Sequence, residues 1–337
     1  MNNKRKLSYS AFLKRVKDSI KRNDMFHKGD KVLVAVSGGS DSVCLLTALL
    51  QMCKTFGVKI VVANMDHCLR GERSKKDSKF VRDLSRKLKL DFVHKKVRIK
   101  SVRARGISLE ECARAQRYKF FKEAAIKEKC NVIATGHTMD DQAETVLMRI
   151  ISGAGLAGLS GIPSVRYVGK IKIVRPLIRT TKRDILEFLR KEKTCFVEDE
   201  SNSDLKFARN NIRHKILPFL EEYNPKIRRT LANLAETLRE DYVYLSSERE
   251  KALGKYGRHS GKILSVKIKD MVLQPETVRK EIFKELIIKA GGNIKKLNYR
   301  HWIDMNYFLV FAKSGKSLDL PGEVKITKKR GEIIFKK

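Results

Sequence analysis

The stretch KVLVAVSGGSDS, residues 31–42, decides how the rest of this chain is read. Val32 to Val36 form a short apolar run rich in β-branched side chains, the composition of a strand buried in a parallel sheet. Ser37-Gly38-Gly39-Ser40-Asp41-Ser42 follows at once, and a helix-like run from Val43 to Cys53 comes next. Two glycines let the backbone turn sharply and approach a ligand closely. Strand, glycine loop and helix together gather unbonded backbone N–H groups and the positive end of a helix dipole at one point, which suits a phosphate. A Walker A loop needs GxxxxGK followed by Ser or Thr, with the lysine reaching the β- and γ-phosphates. Here no lysine follows the glycines, and Asp41 stands inside the loop. A carboxylate beside a triphosphate is compatible with that charge if it holds Mg²⁺.

Working outward, strands and helices alternate. Phe12, Val16 and Ile20 are spaced for one face of a leading helix within basic residues 1–28. Lys59 to Ala63 reads as a second strand, ending in Asn64-Met65-Asp66-His67-Cys68-Leu69-Arg70-Gly71. Residues 72–90 form a charged amphipathic helix and Phe92 to Ile99 a third strand. Ser108-Leu109-Glu110-Glu111 is a capping box opening a helix to about Lys129. Val132 to Thr135 is a fourth strand closed by Gly136-His137, with a helix from Asp140 or Asp141 through Ile151. A glycine-rich connection, residues 153–161, leads to a fifth strand, Ile171 to Arg175. A helix from Thr181 to Lys193 follows, capped by Thr180 or Thr181. This alternation predicts an α/β fold with a doubly wound parallel sheet, in which ligands bind at the carboxyl ends of the strands.

The pattern changes near residue 215. A long charged helix runs from Asn224-Pro225 to about Tyr256, with Leu231, Leu234, Leu238, Tyr242 and Leu245 on one stripe. A second helix, Glu276 to Ala290, stops at Gly291-Gly292. The last forty residues read as short strands around turns such as Lys329-Arg330-Gly331. The expected domains are therefore 1–216, a catalytic α/β unit, and 217–337, mostly helical with a small sheet, joined near Pro218 to Pro225.

Composition narrows the partners. Seventy-four Lys and Arg against 38 Asp and Glu give a net charge of +36, far beyond what solubility needs, which points to a polyanion. The six cysteines are scattered with no CxxC pair, which suggests neither a zinc ribbon nor a simple Fe–S site. Free thiols fit a reducing cytoplasm. No leader-type apolar segment follows the basic N-terminus, and no run of about 18 apolar residues predicts a membrane span.

Candidate site residues cluster at the strand ends. Asp141 and Glu144, at i and i+3, share one helix face, either as a reactive pair or as partners of the helix dipole. Arg117 lies on the preceding helix, facing either a ligand or water. His137 is either a capping or core histidine or a ligand contact. Asn202 and the run Ala208-Arg209-Asn210-Asn211-Ile212-Arg213-His214 form a basic patch, either a solvated helix start or, through Arg209, a phosphate contact.

SGGSDS resembles the pyrophosphate loop of the PP-loop ATPases, which adenylate a substrate oxygen and release pyrophosphate. SGGSDS, NMDHCLRG, SLEECARAQRYKF, GHTMDDQAET, IVRPLI, EDESN and ARNNIRHKILP stand together in the order and spacing of the tRNA(Ile)-lysidine synthase family. That resemblance covers residues 31–220 and extends more weakly to LPGEVKITKKRGEIIF. Asn64 departs from it, since many members carry His there. The length resembles that of members with a single C-terminal domain. The resemblance implies that ATP adenylates C2 oxygen of the wobble cytidine in the CAU anticodon of tRNA(Ile). Free L-lysine then displaces AMP to give lysidine. It implies ATP and Mg²⁺ as cofactors, with Ser37, Gly38, Gly39, Ser40, Asp41 and Ser42 on the phosphates and Asp41 on the metal. Met65, His137 and Arg209 would contact the nucleotide, and Arg117, Asp141 and Glu144 would form the lysine and cytidine site. The residues leave the oligomeric state open, a homodimer included. Two alternatives stand beside this reading: a PP-loop tRNA thiolase, which needs a cysteine pair or an Fe–S cluster, and a nucleotide-gated RNA-binding protein without catalysis.

Overall fold

Lys31–Ala35 (β1) lies inside a parallel sheet in the computed structural model, which describes residues 2–68, 71–104, 106–198, 208–260 and 263–337. Leu69, Arg70 and Asn202 lie outside the described residues, as does most of EDESN. By its contacts the chain divides into two units, Met1–Thr237 and Leu238–Lys337. That division falls inside the long helix, later than the 216/217 read from sequence.

The first unit is built on β1, β2 (Lys59–Asp66), β3 (Asp91–Lys96), β4 (Val132–Ala134), β5 (Val165–Val168) and β6 (Ile171–Val174). Their order is β3-β2-β1-β4-β6-β5, parallel throughout except for the antiparallel β5–β6 pair. The chain winds outward from β1 through β2 to β3, then returns to the other side of β1 at β4. The topological switch point therefore lies between β1 and β4, where a ligand crevice opens at the carboxyl ends. The edge strand β5 escaped the sequence reading. It is four residues long and is brought onto β6 by the two-residue turn Gly169-Lys170, whose glycine has φ +61°.

Alternation along β1 builds both faces of the core. Val32 and Val34 pack with α1 (Asn2–Arg22), α2 (Ser40–Phe56), α3 (Glu72–Lys87) and α8 (Lys182–Lys191). Phe12, Val16 and Ile20 are buried there, as the helical spacing requires. Leu33 points the other way, with Val61, Ile133 and Ile173, against Phe120, Phe121 and Ala124 of α5 (Leu109–Lys127). Between β3 and α5 runs a short helix, α4 (Ile99–Val102). Ser108 caps α5 by accepting from the Glu111 N–H, 3.1 Å. After β4 come α6 (Met139–Ile151) and a one-turn α7 (Leu156–Leu159) within the glycine-rich connection.

Residues 208–223 are helical rather than a linker. They run through α9 (Ala208–Asn211), a π-helical stretch (Ile212–Ile216) and α10 (Leu217–Tyr223). Pro218 sits in the first turn of α10, where its missing N–H costs nothing. Ile212 and Leu217 bury against Ala143, Val146 and Leu147 of α6, with Leu231 and Ala235 of α11 (Ile227–Tyr256) in the same cluster. That burial is why the segment folds onto the catalytic unit.

The second unit holds an antiparallel sheet in the order β7-β8-β11-β10-β9: β7 (Gly257–Ser260), β8 (Ile263–Lys267), β9 (Ser317–Leu320), β10 (Val324–Lys329) and β11 (Glu332–Lys336). Val266, Ile326, Ile333 and Phe335 pack on α12 (Ile268–Val272), α13 (Glu276–Lys289) and α14 (Tyr299–Phe311). The α14 segment corrects the reading of the last forty residues as strands alone. Its aromatic content mimics a strand, but Met305, Phe308 and Leu309 bury at helical spacing, and Asn298 and His301 form a capping box.

Candidate active site

The loop after β1 is held by its own hydroxyls. The Ser37 N–H donates to Ser42 Oγ, 3.1 Å, and Ser42 Oγ donates to the Gly39 carbonyl, 2.9 Å. Gly38 adopts φ +99°, a left-handed conformation that strains other residues. Gly39 caps α2, and Asp41 lies in its first turn. At the end of β4, a Cβ on Gly136 would meet the Asp41 carbonyl at 3.1 Å and the Ser42 nitrogen at 3.2 Å. A side chain at Gly136 would crowd the start of α2, against which the β4 exit lies. Asn64, 2% exposed, donates to the Val36 carbonyl, 2.8 Å, and its Oδ1 lies 3.0 Å from His94 Nδ1. In this chain position 64 ties β1, β2 and β3 together beneath the loop.

α6 begins at Met139, just before the start at Asp140 or Asp141 read from sequence, and Thr138 caps it. Its hydroxyl accepts from the Asp141 N–H, 3.3 Å, while Asp141 Oδ2 accepts from the Thr138 N–H, 2.9 Å. Asp141 Oδ1 then accepts from Arg209, 2.8 Å. Glu144, fully buried, accepts from Arg209 Nε at 2.7 Å and from Arg213 Nε at 2.5 Å. The two carboxylates thus share one helix face, and Arg209 and Arg213, four apart, bring a matching face of cations. Burial alone would raise the Asp141 carboxyl, but the Arg209 charge, the hydrogen bond from the Thr138 N–H and the Arg213 charge hold it below the ordinary carboxylate range. His137, whose Nδ1 is 3.0 Å from Thr135 Oγ1, is pushed down to about 3 by burial, so its ring is neutral at pH 7.

The structure brings the Ser37–Ser42 loop, His137, Asp141, Glu144 and Arg209 to the switch point. Asp41 feels the charges of both Asp141 and Arg213. Arg117 donates to His67 Nε2, 3.3 Å from its Nε, and it feels the charge of Arg209; the carboxylates themselves are bonded by Arg209 and Arg213. Met65, next to last in β2, packs toward Ile99, Cys112 and Ala113.

Sequence reasoning missed two site residues. Arg213 was legible only as the i+4 partner of Arg209. Lys182, the first residue of α8, reaches Asp41 Oδ1 and Ser40 Oγ, both at 2.6 Å. The Asp41 carboxyl is raised by burial, an effect that Lys182 offsets in part. Among the described residues no three His, Cys, Asp or Glu side chains converge to hold a metal. An ion at Asp41 would therefore draw its other ligands from phosphate oxygens and water, a donor set that suits Mg²⁺. No helix among the described residues is long and apolar enough to cross a membrane.

Comparison with known proteins agrees with this geometry. Residues 8–220 match the PP-loop domain family. The chain is 34% identical over 329 residues to tRNA(Ile)-lysidine synthase of Geobacter sulfurreducens, covering 96% of this chain and 69% of that protein. The same enzyme of Clostridioides difficile is 31% identical over 95% of this chain and 70% of its own. Among solved structures, the U34-tRNA thiolase NcsA of Methanococcus maripaludis aligns with a TM-score of 0.57, covering 69% of this chain and 80% of that one. At 20% identity that likeness is one of fold. With a phosphate loop and a carboxylate pair at one switch point, and relatives matched over nearly its whole length, the chain belongs to the tRNA(Ile)-lysidine synthase family of PP-loop ATP-binding proteins.

Proposed function

We propose that this protein uses ATP to join free L-lysine to C2 of the wobble cytidine in a CAU-anticodon tRNA(Ile). The observation that carries the reading is the convergence of the Ser37–Ser42 loop with Asp141 and Glu144 at the switch point between β1 and β4. The loop N–H groups and hydroxyls hold the triphosphate, with His137 and the backbone near Met65 against the nucleotide. The cytidine C2 oxygen attacks the α-phosphorus, the bond to the β-phosphate breaks, and pyrophosphate leaves. Asp41 would hold Mg²⁺, which when bound would supply screening of the triphosphate charge.

The second step needs an amine. Free lysine arrives as an ammonium, with an ordinary pKa of ~10.4, and has no lone pair to attack with. Asp141 and Glu144 attract it, and one carboxylate takes the proton as the nitrogen bonds to C2 and AMP departs. Asp141, held ionised, is the better anchor for the charge. Arg209 is released from the pair as the ammonium arrives and meets the reacting phosphate, while Arg117 steadies the activated base. The +36 charge supplies the many phosphate contacts that tRNA binding draws on, and the anticodon bases are splayed into the pocket, the usual mode for single-stranded RNA. The reaction belongs to the cytoplasm, where its tRNA is.

The first step is tested by pyrophosphate release. Release should require the CAU transcript and proceed without lysine. Release that is independent of RNA would contradict the order of steps.

A further inference from the structure

Lys182 has a place in the site that its own helix does not explain. A cation in the first turn opposes the helix dipole, yet Lys182 opens α8. The start of that helix is fixed from several sides. Thr181 and Asp184 form a capping box, Arg15 binds Asp184 at 2.6 Å, and the Lys182 N–H donates to Asp140 Oδ2 at 2.7 Å. Asp140 is itself held by Arg228, 3.0 Å. The backbone of Lys182 is anchored, while its side chain, 47% exposed, reaches across to Asp41 Oδ1 at 2.6 Å. Its ammonium already lies 2.6 Å from Ser40 Oγ, a hydroxyl of the phosphate loop.

We propose that Lys182 is the phosphate-binding cation that the glycine loop itself lacks. It neutralises Asp41 while no nucleotide is bound, and passes to the pyrophosphate moiety of ATP when the loop fills. As the substrate oxygen attacks the α-phosphorus, the electron pair of the breaking P–O bond goes to pyrophosphate, and Lys182 meets that added charge. A loop of this kind thereby gains, from a helix 141 residues later in sequence, the lysine that a Walker A loop carries within itself. The inference rests on the ATP reading of the Ser37–Ser42 loop.

The test titrates ATP, inorganic pyrophosphate and AMP onto the purified full-length protein and its Lys182→Met, Lys182→Gln and Lys182→Arg variants, with melting temperatures recorded alongside. Losing a charge-assisted contact should weaken ATP and pyrophosphate binding about tenfold or more in the Met and Gln variants, while AMP binding changes by less than about twofold. The Arg variant should recover most of the pyrophosphate affinity. Wild-type pyrophosphate affinity in a folded Met or Gln variant would overturn the proposal and leave only a structural ion pair. Tighter binding would overturn it too, because Lys182 would then block the loop. Failure of the wild-type protein to bind ATP or pyrophosphate would overturn the loop reading itself, a result distinguishable from failure at Lys182 alone.

Discussion

Arg209 and Glu144 form an ion pair, Nε to Oε2 2.7 Å, in which the carboxylate is fully buried and the guanidinium 22% exposed. Arg213 completes the cage on the other oxygen. In this state the carboxylate pair is occupied by the protein's own cations, so a lysine ammonium bound where we propose would compete with arginine for it. On that proposal the pair would favour an ammonium, which replaces one cation with another, over a neutral amine.

Glu144→Gln should destabilise the first unit by about 1–3 kcal/mol, because Arg209 and Arg213 lose their buried carboxylate and keep only Asp141 as an anionic partner there. Chemical denaturation of the variant and the wild type measures it. No loss of stability would mean that the arginines find other partners easily.

Asp141→Asn should retain the fold, since the amide oxygen can still accept from the Thr138 N–H. It should impair the lysine step more than adenylation, seen as accumulated adenylated tRNA or a raised lysine KM. Wild-type lysidine formation with an unchanged lysine KM would reduce Asp141 to a helix-capping residue.

Asp41→Ala should abolish pyrophosphate release in a protein that still folds, as the loop's own carboxylate is lost. Near-normal release would remove Asp41 from the phosphate site.

Acid should destabilise the protein through His137. Its folded pKa, about 3, lies below the ordinary value of ~6.5. The unfolded chain therefore binds the proton first, and the stability from burying the neutral ring is present above pH ~6.5 and lost as pH falls toward about 3. Asp141, shifted below its ordinary value, adds a loss in the same direction at still lower pH. Melting temperatures of His137→Asn should fall less between about pH 6.5 and 4 than those of the wild type. Parallel curves would show that His137 does not carry the effect.

What the sequence showed and hid follows from the range of the interactions. The β1 loop and α2 were legible because strand, glycines and helix are contiguous and each element is set locally. The carboxylate face of α6 was legible from its i, i+3 spacing. The edge strand β5 was not, because four half-exposed residues carry little periodicity and depend on pairing with β6. Lys182 and Arg213 were hidden for a related reason. Their roles come from partners far along the chain, Asp41 and Glu144, which only the folded sheet and the buried face of residues 208–217 bring near. Arg117 was correctly placed on its helix, but its partner His67 lies beyond the end of β2, where no periodicity signals a contact.

The proposed site stands or falls on the transfer of lysine to one base of the RNA. Purified protein should be given ATP, labelled lysine and a CAU-anticodon tRNA(Ile) transcript, and the labelled nucleoside mapped. Label should appear on the wobble cytidine, dependent on ATP, and be absent from a transcript whose wobble base is uridine. Adenylated RNA that lysine fails to discharge, or label at any other position, would contradict it.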